Sequence, residues 1–158
     1  MTKRILVLGA DRLGFDLKEA IKNNLENDER FRVIDVSADA AIPYYDVGAE
    51  VGKAISADPS KTGIIFCGSG MGVNIVANKF RGVYCGLCES VTTARLCRII
   101  NNCNVLSLGA LTTSPYKAQM MVDAFLSTDF SFGLSEIEPE GLQYAFQEVR
   151  RIETNNLM

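Results

Sequence analysis

The chain contains no histidine and no tryptophan among its 158 residues. Without an imidazole, the usual group for moving protons near neutral pH is missing. Any proton chemistry must fall to Cys, Asp, Glu, Lys, Tyr or a water. Zinc patterns that mix cysteine with histidine are excluded as well. The five cysteines, at 67, 85, 88, 97 and 103, lack the double C-x-x-C spacing of an all-cysteine site. No metal and no cofactor is expected. Cys85 and Cys88 lie in one apolar run, and on a strand residues three apart face opposite sides, so both read as reduced core thiols.

Long apolar runs are missing too: none approaches the roughly 18 residues of a membrane span, so no membrane partner is expected. Lys3-Arg4 followed by Ile5 to Leu8 has the outline of a signal peptide. The run is too short, however, and Asp11 and Arg12 interrupt it, so it reads as a first buried strand of a cytoplasmic protein. A long basic block is also absent and the net charge is −3, which leaves little support for a nucleic-acid partner. With 47% hydrophobic and 22% charged residues, the chain is globular rather than disordered.

What is present is a regular alternation. Aliphatic runs at 3–8, 31–36, 63–66, 82–87 and 105–108 suit buried strands. Between them, Leu17, Ile21 and Leu25, then Val47, Val51, Ala54 and Ile55, repeat at helical spacing. Further helices are expected at about 71–78, at 92–101 with Ser90 or Thr92 as cap, and from Ser114-Pro115 onward. Parallel strands need crossover connections, so this order predicts an α/β fold: a three-layer, doubly wound sandwich around a five-stranded parallel sheet. Residues 141–152 add a C-terminal helix. The whole, 1–158, reads as one domain with a core over about 4–130 and an extension over 131–158.

Ligands of open parallel sheets bind beyond the carboxyl ends of the strands. Three loops are assigned to that edge: Gly9-Ala10-Asp11-Arg12, Cys67-Gly68-Ser69-Gly70-Met71-Gly72, and Asn101-Asn102-Cys103-Asn104. In the second, glycines at every other position let backbone amides approach an anion, and the next helix presents its positive end. That potential favours the thiolate of Cys67. The same residues also suit a tight turn with Cys67 as a small core residue. A dinucleotide site is excluded, because Gly9 to Gly14 lacks the middle glycine of the fingerprint, and Asp35 reads as a turn residue rather than a ribose ligand. A phosphoacceptor receiver is excluded by Cys67 and by Leu111-Thr112, where it would need Asp and Lys.

At these loops the sequence resembles the sugar-phosphate isomerase family of ribose-5-phosphate isomerase B and the galactose-6-phosphate isomerase subunits. The likeness runs from about Arg4 to Phe130, on Gly9 to Phe15, Cys67 to Gly72, Ala77-Asn78-Lys79 and Asn101 to Gly109. The string Ile100 to Leu106 resembles in particular the isomerase-like domain of a plant DNA-damage-toleration protein. The resemblance implies a Rossmann-like fold, aldose–ketose interconversion through an enediolate, and a homodimer. By position it makes Cys67 the base. The loop Gly68, Ser69, Gly70, Met71 and Gly72 becomes the oxyanion cradle, and Asp11 and Asn101 bind substrate oxygens. Four departures stand out. Arg12 replaces a histidine, Ile100 the ring-opening histidine, and Leu111 a phosphate-binding arginine, and 134–138 lacks the tail arginines. The expectation is an isomerase with an altered substrate, in which Arg12 takes the anion, or else a silent domain that binds a sugar or sugar phosphate. Lys79, Arg81, Glu89 and Asn74 are read as solvated, capping or packing residues, and Tyr44 and Tyr45 as pocket wall or packed loop.

Overall fold

The computed structural model describes residues 2–38 and 42–157. Five strands form one sheet: β1 (Arg4–Ala10), β2 (Phe31–Asp35), β3 (Thr62–Cys67), β4 (Cys85–Leu87) and β5 (Val105–Gly109). The order is β2-β1-β3-β5-β4, and every pairing is parallel. Helices α1 (Phe15–Glu26), α2 (Tyr44–Ala57), α3 (Met71–Ala77), α4 (Val91–Asn101) and α5 (Pro115–Leu126) make the crossovers, and α6 (Pro139–Asn156) follows.

Strand alternation sorts the core into two layers. Leu6, Leu8 and Ala10 of β1, Ile64 and Phe66 of β3, and Leu106 and Leu108 of β5 share one apolar cluster with α1 and α5. Val7, Ile65, Cys67 and Val105 point the other way, into a second cluster with Val47, Val51 and Ile55 of α2 and Val73 and Ala77 of α3. A period of two with both sets buried is the mark of a sheet covered on both faces. Cys88 joins the first cluster and Cys85 borders the second, so the C-x-x-C does face both ways, and all five cysteines are free.

The caps follow local chemistry. Ser90 closes α4 through a capping box with Thr93, and Ser114 accepts the Lys117 amide with Pro115 in the first turn of α5. β4 is shorter than the apolar run 82–87 suggests. The Gly82 amide donates to Glu153 of α6 and the Tyr84 amide to the Asn104 side chain, so the run's first residues are held by side chains rather than a ladder. Helix α6 exceeds the expected 141–152. It docks by buried Leu142 and by Phe146, whose ring meets Tyr84 and Phe130 edge-on at 5.0 and 5.3 Å. Among the described residues, no helix is long and apolar enough to cross a membrane.

Candidate functional site

The chain turns from β1 outward to β2 and then returns past β1 to β3, so the strand order reverses between β1 and β3. That reversal leaves a crevice at the carboxyl ends of the two strands, and the Asp11 and Cys67 loops both emerge there. The Asp11 amide donates to the Phe66 carbonyl at 3.2 Å, and Asp11 Oδ1 accepts the Gly14 amide at 2.9 Å. A Cβ on Gly14 would lie 2.6 Å from the Phe66 carbonyl carbon, so only glycine lets the first loop lie against β3.

The Cys67 loop is clamped by β5. Cys67 pairs with Gly109, the Ala110 amide donates to the Cys67 carbonyl and the Leu111 amide to the Gly68 carbonyl. Beneath it, buried Ser107 donates its hydroxyl to the Gly70 carbonyl at 2.6 Å. Gly70 takes φ +76°, and this turn aims its amide at Cys67 Sγ, 3.1 Å away. An N–H so directed interacts more strongly with a thiolate than with a thiol. Cys67 is 5% exposed and shares the α2–α3 cluster, so it fills core space and faces the loop amide together. Ser69 Oγ accepts the Met71 amide at the start of α3. Tyr44 packs so closely on the loop that a Cβ on Gly72 would lie 2.7 Å from its ring, which makes Tyr44 a wall of the loop.

The rim is apolar. Leu13 and Leu111 flank Gly68 and are 59% and 75% exposed, and Met71 is 54% exposed. Arg12 stands exposed at the same edge, with no ion-pair partner among the described residues. The structure thus places the loops of Asp11 and Arg12 and of Gly68 to Gly72 at the same sheet edge as Cys67.

Asn101 is not among them. It ends α4, which runs back against the strands, so it lies at the amino edge of the sheet. The next loop confirms the direction: the Gly63 amide, at the start of β3, donates to the Asn104 carbonyl. Cys67 lies four residue steps along β3 from Gly63, about 13 Å. The assignment of 101–104 to the carboxyl edge is therefore corrected: in a βαβ unit the loop entering a strand lies opposite the loop leaving one. Ile100 and Asn101 instead line a mostly apolar cavity of about 520 Å³ beside the free edge of β4, with Phe146 and Val149 of α6.

Sequence reasoning missed the group that fixes the first loop. Lys18 is wholly buried on the apolar face of α1, donating to Asp35 Oδ2 at 2.8 Å and to the Ser37 carbonyl at 2.7 Å. Ser37 Oγ in turn accepts the Ala10 amide at 2.7 Å, tying the ends of β1 and β2 together. Burial pushes the Asp35 carboxyl up, but the Lys18 and Lys22 ammonium groups and the Ser37 amide outweigh it and hold it below its ordinary value. The only sequence signal was the place of Lys18 next to Leu17 on the stripe. Among the smaller candidates, Asn74 donates to the Cys85 carbonyl at 2.9 Å as a packing residue, and Glu89 is exposed. Among the described residues, no cluster of three or more His, Cys, Asp or Glu can hold a metal.

Known proteins resemble this chain in sequence and fold. The family model described as Ribose/Galactose Isomerase matches residues 6–138. A DNA damage-repair/toleration protein of Arabidopsis thaliana is 42% identical over 127 residues, 79% of this chain but 40% of that protein. The 4-deoxy-4-sulfo-D-erythrose isomerase of Clostridium sp. (strain MSTE9) is 34% identical over 151 residues, 94% of each chain. The crystal structure of ribose-5-phosphate isomerase B from Mycoplasma genitalium with bound ribulose-5-phosphate superposes with a TM-score of 0.84 at 30% identity, covering 97% of this chain and 99% of that one.

Proposed function

Because the chain belongs to the Ribose/Galactose Isomerase family, we propose that it interconverts an aldose and a ketose carrying a terminal anion, working on an open-chain substrate. The observation that carries this reading is the Gly70 amide held 3.1 Å from Cys67 Sγ, in a loop clamped by β5 at the sheet's crevice. The Cys67 thiolate takes the proton from the carbon beside the carbonyl and becomes a thiol. The electron pair left behind forms the enediolate, whose oxygens meet the amides of Gly68, Ser69 and Gly72, since those of Gly70 and Met71 already serve Cys67 Sγ and Ser69 Oγ. The thiol returns the proton to the neighbouring carbon, and the hydroxyl proton passes between the two oxygens. Asp11 accepts from a substrate hydroxyl, and exposed Arg12 pairs with the phosphate or an equivalent anion.

The open-chain restriction rests on Ile100, a side chain with no proton to give, at the position that the resemblance gives to the ring-opening acid; like Asn101 it would enter a Cys67 site from a second copy. The substrate in the name of the Clostridium relative supports the restriction. A four-carbon aldose with a sulfonate in place of the C4 hydroxyl has no oxygen with which to close a furanose ring.

Asn101 can reach a Cys67 site only from a second copy, and the exposed Leu13, Met71 and Leu111 give such a copy an apolar surface to cover. We therefore include a homodimer in the proposal. A cytoplasmic location fits the five free thiols. Binding without turnover is the second reading, favoured by Leu111 in place of a phosphate-binding arginine.

The test is an interconversion assay across aldose and ketose phosphates of three to six carbons. Turnover should favour substrates too short to close a stable ring. Turnover confined to five- and six-carbon sugars contradicts the open-chain restriction, and binding without turnover of any sugar selects the silent domain.

A further inference from the structure

A second cavity, of about 570 Å³, opens at the amino edge of the sheet, across the strands from Cys67, and its charge is one-sided. Arg4 of β1, Arg81 of the segment before β4, Arg98 of α4 and Arg150 of α6 all line it. None of these four arginines has an ion-pair partner among the described residues. Lys61 is a fifth cation on the wall, paired with Asp58 at 3.6 Å.

The one carboxylate on the lining, Glu153, is already engaged. Its Oε1 accepts the Gly82 amide at 2.7 Å and its Oε2 the Tyr84 hydroxyl at 2.9 Å. The two deeper arginines are braced by neutral groups. Arg4 donates to Thr62 Oγ1 and the Leu126 carbonyl, and Arg98 to the carbonyls of Thr128 and Cys103. Burial lowers the proton affinity of both guanidinium groups; at Arg4 the charge of Arg98 adds to it and Asp129 opposes it, and at Arg98 Cys103, Cys97 and Asp129 are partial counterweights. Four arginines with no ion-pair partner, facing the single lining carboxylate Glu153, leave a net positive potential inside a recess, and arginine forks match phosphate oxygens in pairs. The volume is that of a small-molecule site.

We propose that this cavity is a binding site for a small molecule bearing phosphate groups, separate from the Cys67 site. The proposal does not depend on the isomerase reading. Arg98 lies one turn before Asn101 on α4, so a ligand held there also bears on the helix end that carries Asn101.

The experiment titrates the full chain with inorganic pyrophosphate by calorimetry at constant ionic strength, with amide shifts recorded by NMR on the same samples. Wild type is run beside the double variant Arg81→Gln/Arg150→Gln, which changes exposed side chains only, and beside Arg12→Gln at the other edge. Saturable binding is expected in wild type and Arg12→Gln, with shifts at the amides of Lys61, Gly82 and Asn104. The double variant should bind about tenfold more weakly or worse. Absence of saturable binding, a smaller loss in the double variant, or shifts confined to 11–14 and 67–72 overturns the proposal. The wild-type shift map keeps the test decisive should the double variant fold poorly.

Discussion

Replacing Gly70 with alanine tests whether the Cys67 loop is held by its backbone geometry or merely tolerates it. Two costs add. At φ +76° an L-residue sits in the left-handed region, at roughly 1–2 kcal/mol. The new Cβ would also lie 2.9 Å from the Leu108 carbonyl carbon and 3.0 Å from the Gly109 nitrogen, strand backbone that cannot rotate away. Overpacking of this kind adds about 1–3 kcal/mol, for a total of about 2–5 kcal/mol. Gly82 is the control: its φ is +74°, yet nothing lies within 4 Å of a Cβ there, so Gly82→Ala should cost only the conformational part, about 1–2 kcal/mol. Urea unfolding followed by far-ultraviolet circular dichroism measures both, since the chain has no tryptophan to report by fluorescence. Gly70→Ala should lose at least about 1 kcal/mol more than Gly82→Ala. Equal losses would mean that the loop yields freely and that the clamp by β5 is not what positions the Gly70 amide.

The other predictions probe the supports of the same edge. Ser107→Ala removes the 2.6 Å donor from the buried Gly70 carbonyl, which keeps the Asn74 amide at 3.3 Å, and should cost about 0.5–1.5 kcal/mol in the same unfolding assay. Lys18→Met removes the buried ammonium while Asp35 keeps Lys22 at 3.0 Å, and should destabilise by about 1–3 kcal/mol, whereas Lys53→Met, in an exposed pair with Glu50, should stay within about 0.5 kcal/mol. Asp35 is held below its ordinary value when folded, so its contribution is present above the unfolded carboxylate range and fades as the pH drops through the folded value; Asp35→Asn should flatten that acid limb of stability. Burial, with Glu153 beside the hydroxyl, pushes Tyr84 up to about 12. In an ultraviolet titration one tyrosine should therefore ionise last, Tyr84→Phe should remove that step, and stability should fall as the pH rises from 10 towards 12.

Much of the fold is legible because its strands are buried on both faces and its helices on one. Runs such as Ile64-Ile65-Phe66 need no tertiary information to be read, and Ser114-Pro115 announces α5 unaided. The glycine loop is legible for a related reason: three glycines in six residues mark a backbone under close constraint. What escaped detection depends on distant partners. Lys18 looks like a surface cation until Asp35 and Ser37 are brought against it by the pairing of β1 with β2. The shortening of β4 depends on Glu153, far along the chain. The edge that Asn101 occupies is not legible in the sequence, because nearness to a strand does not say which end of the sheet a loop occupies; the direction of α4 decides that. The four arginines at the amino edge come from β1, from α4, from the segment before β4 and from α6, and only the folded sheet makes them neighbours.

The central claim, that Cys67 is the base of an enolisation, meets its most direct test in deuterium exchange. Aldose and ketose phosphates of three to six carbons are incubated with the protein in D2O, and loss of the C–H signal beside the carbonyl is followed by proton NMR. The account predicts enzyme-dependent exchange with at least one short-chain substrate, and its disappearance in Cys67→Ala while the variant stays folded. Exchange that persists undiminished in Cys67→Ala, or no exchange with any sugar phosphate in wild type, would contradict it.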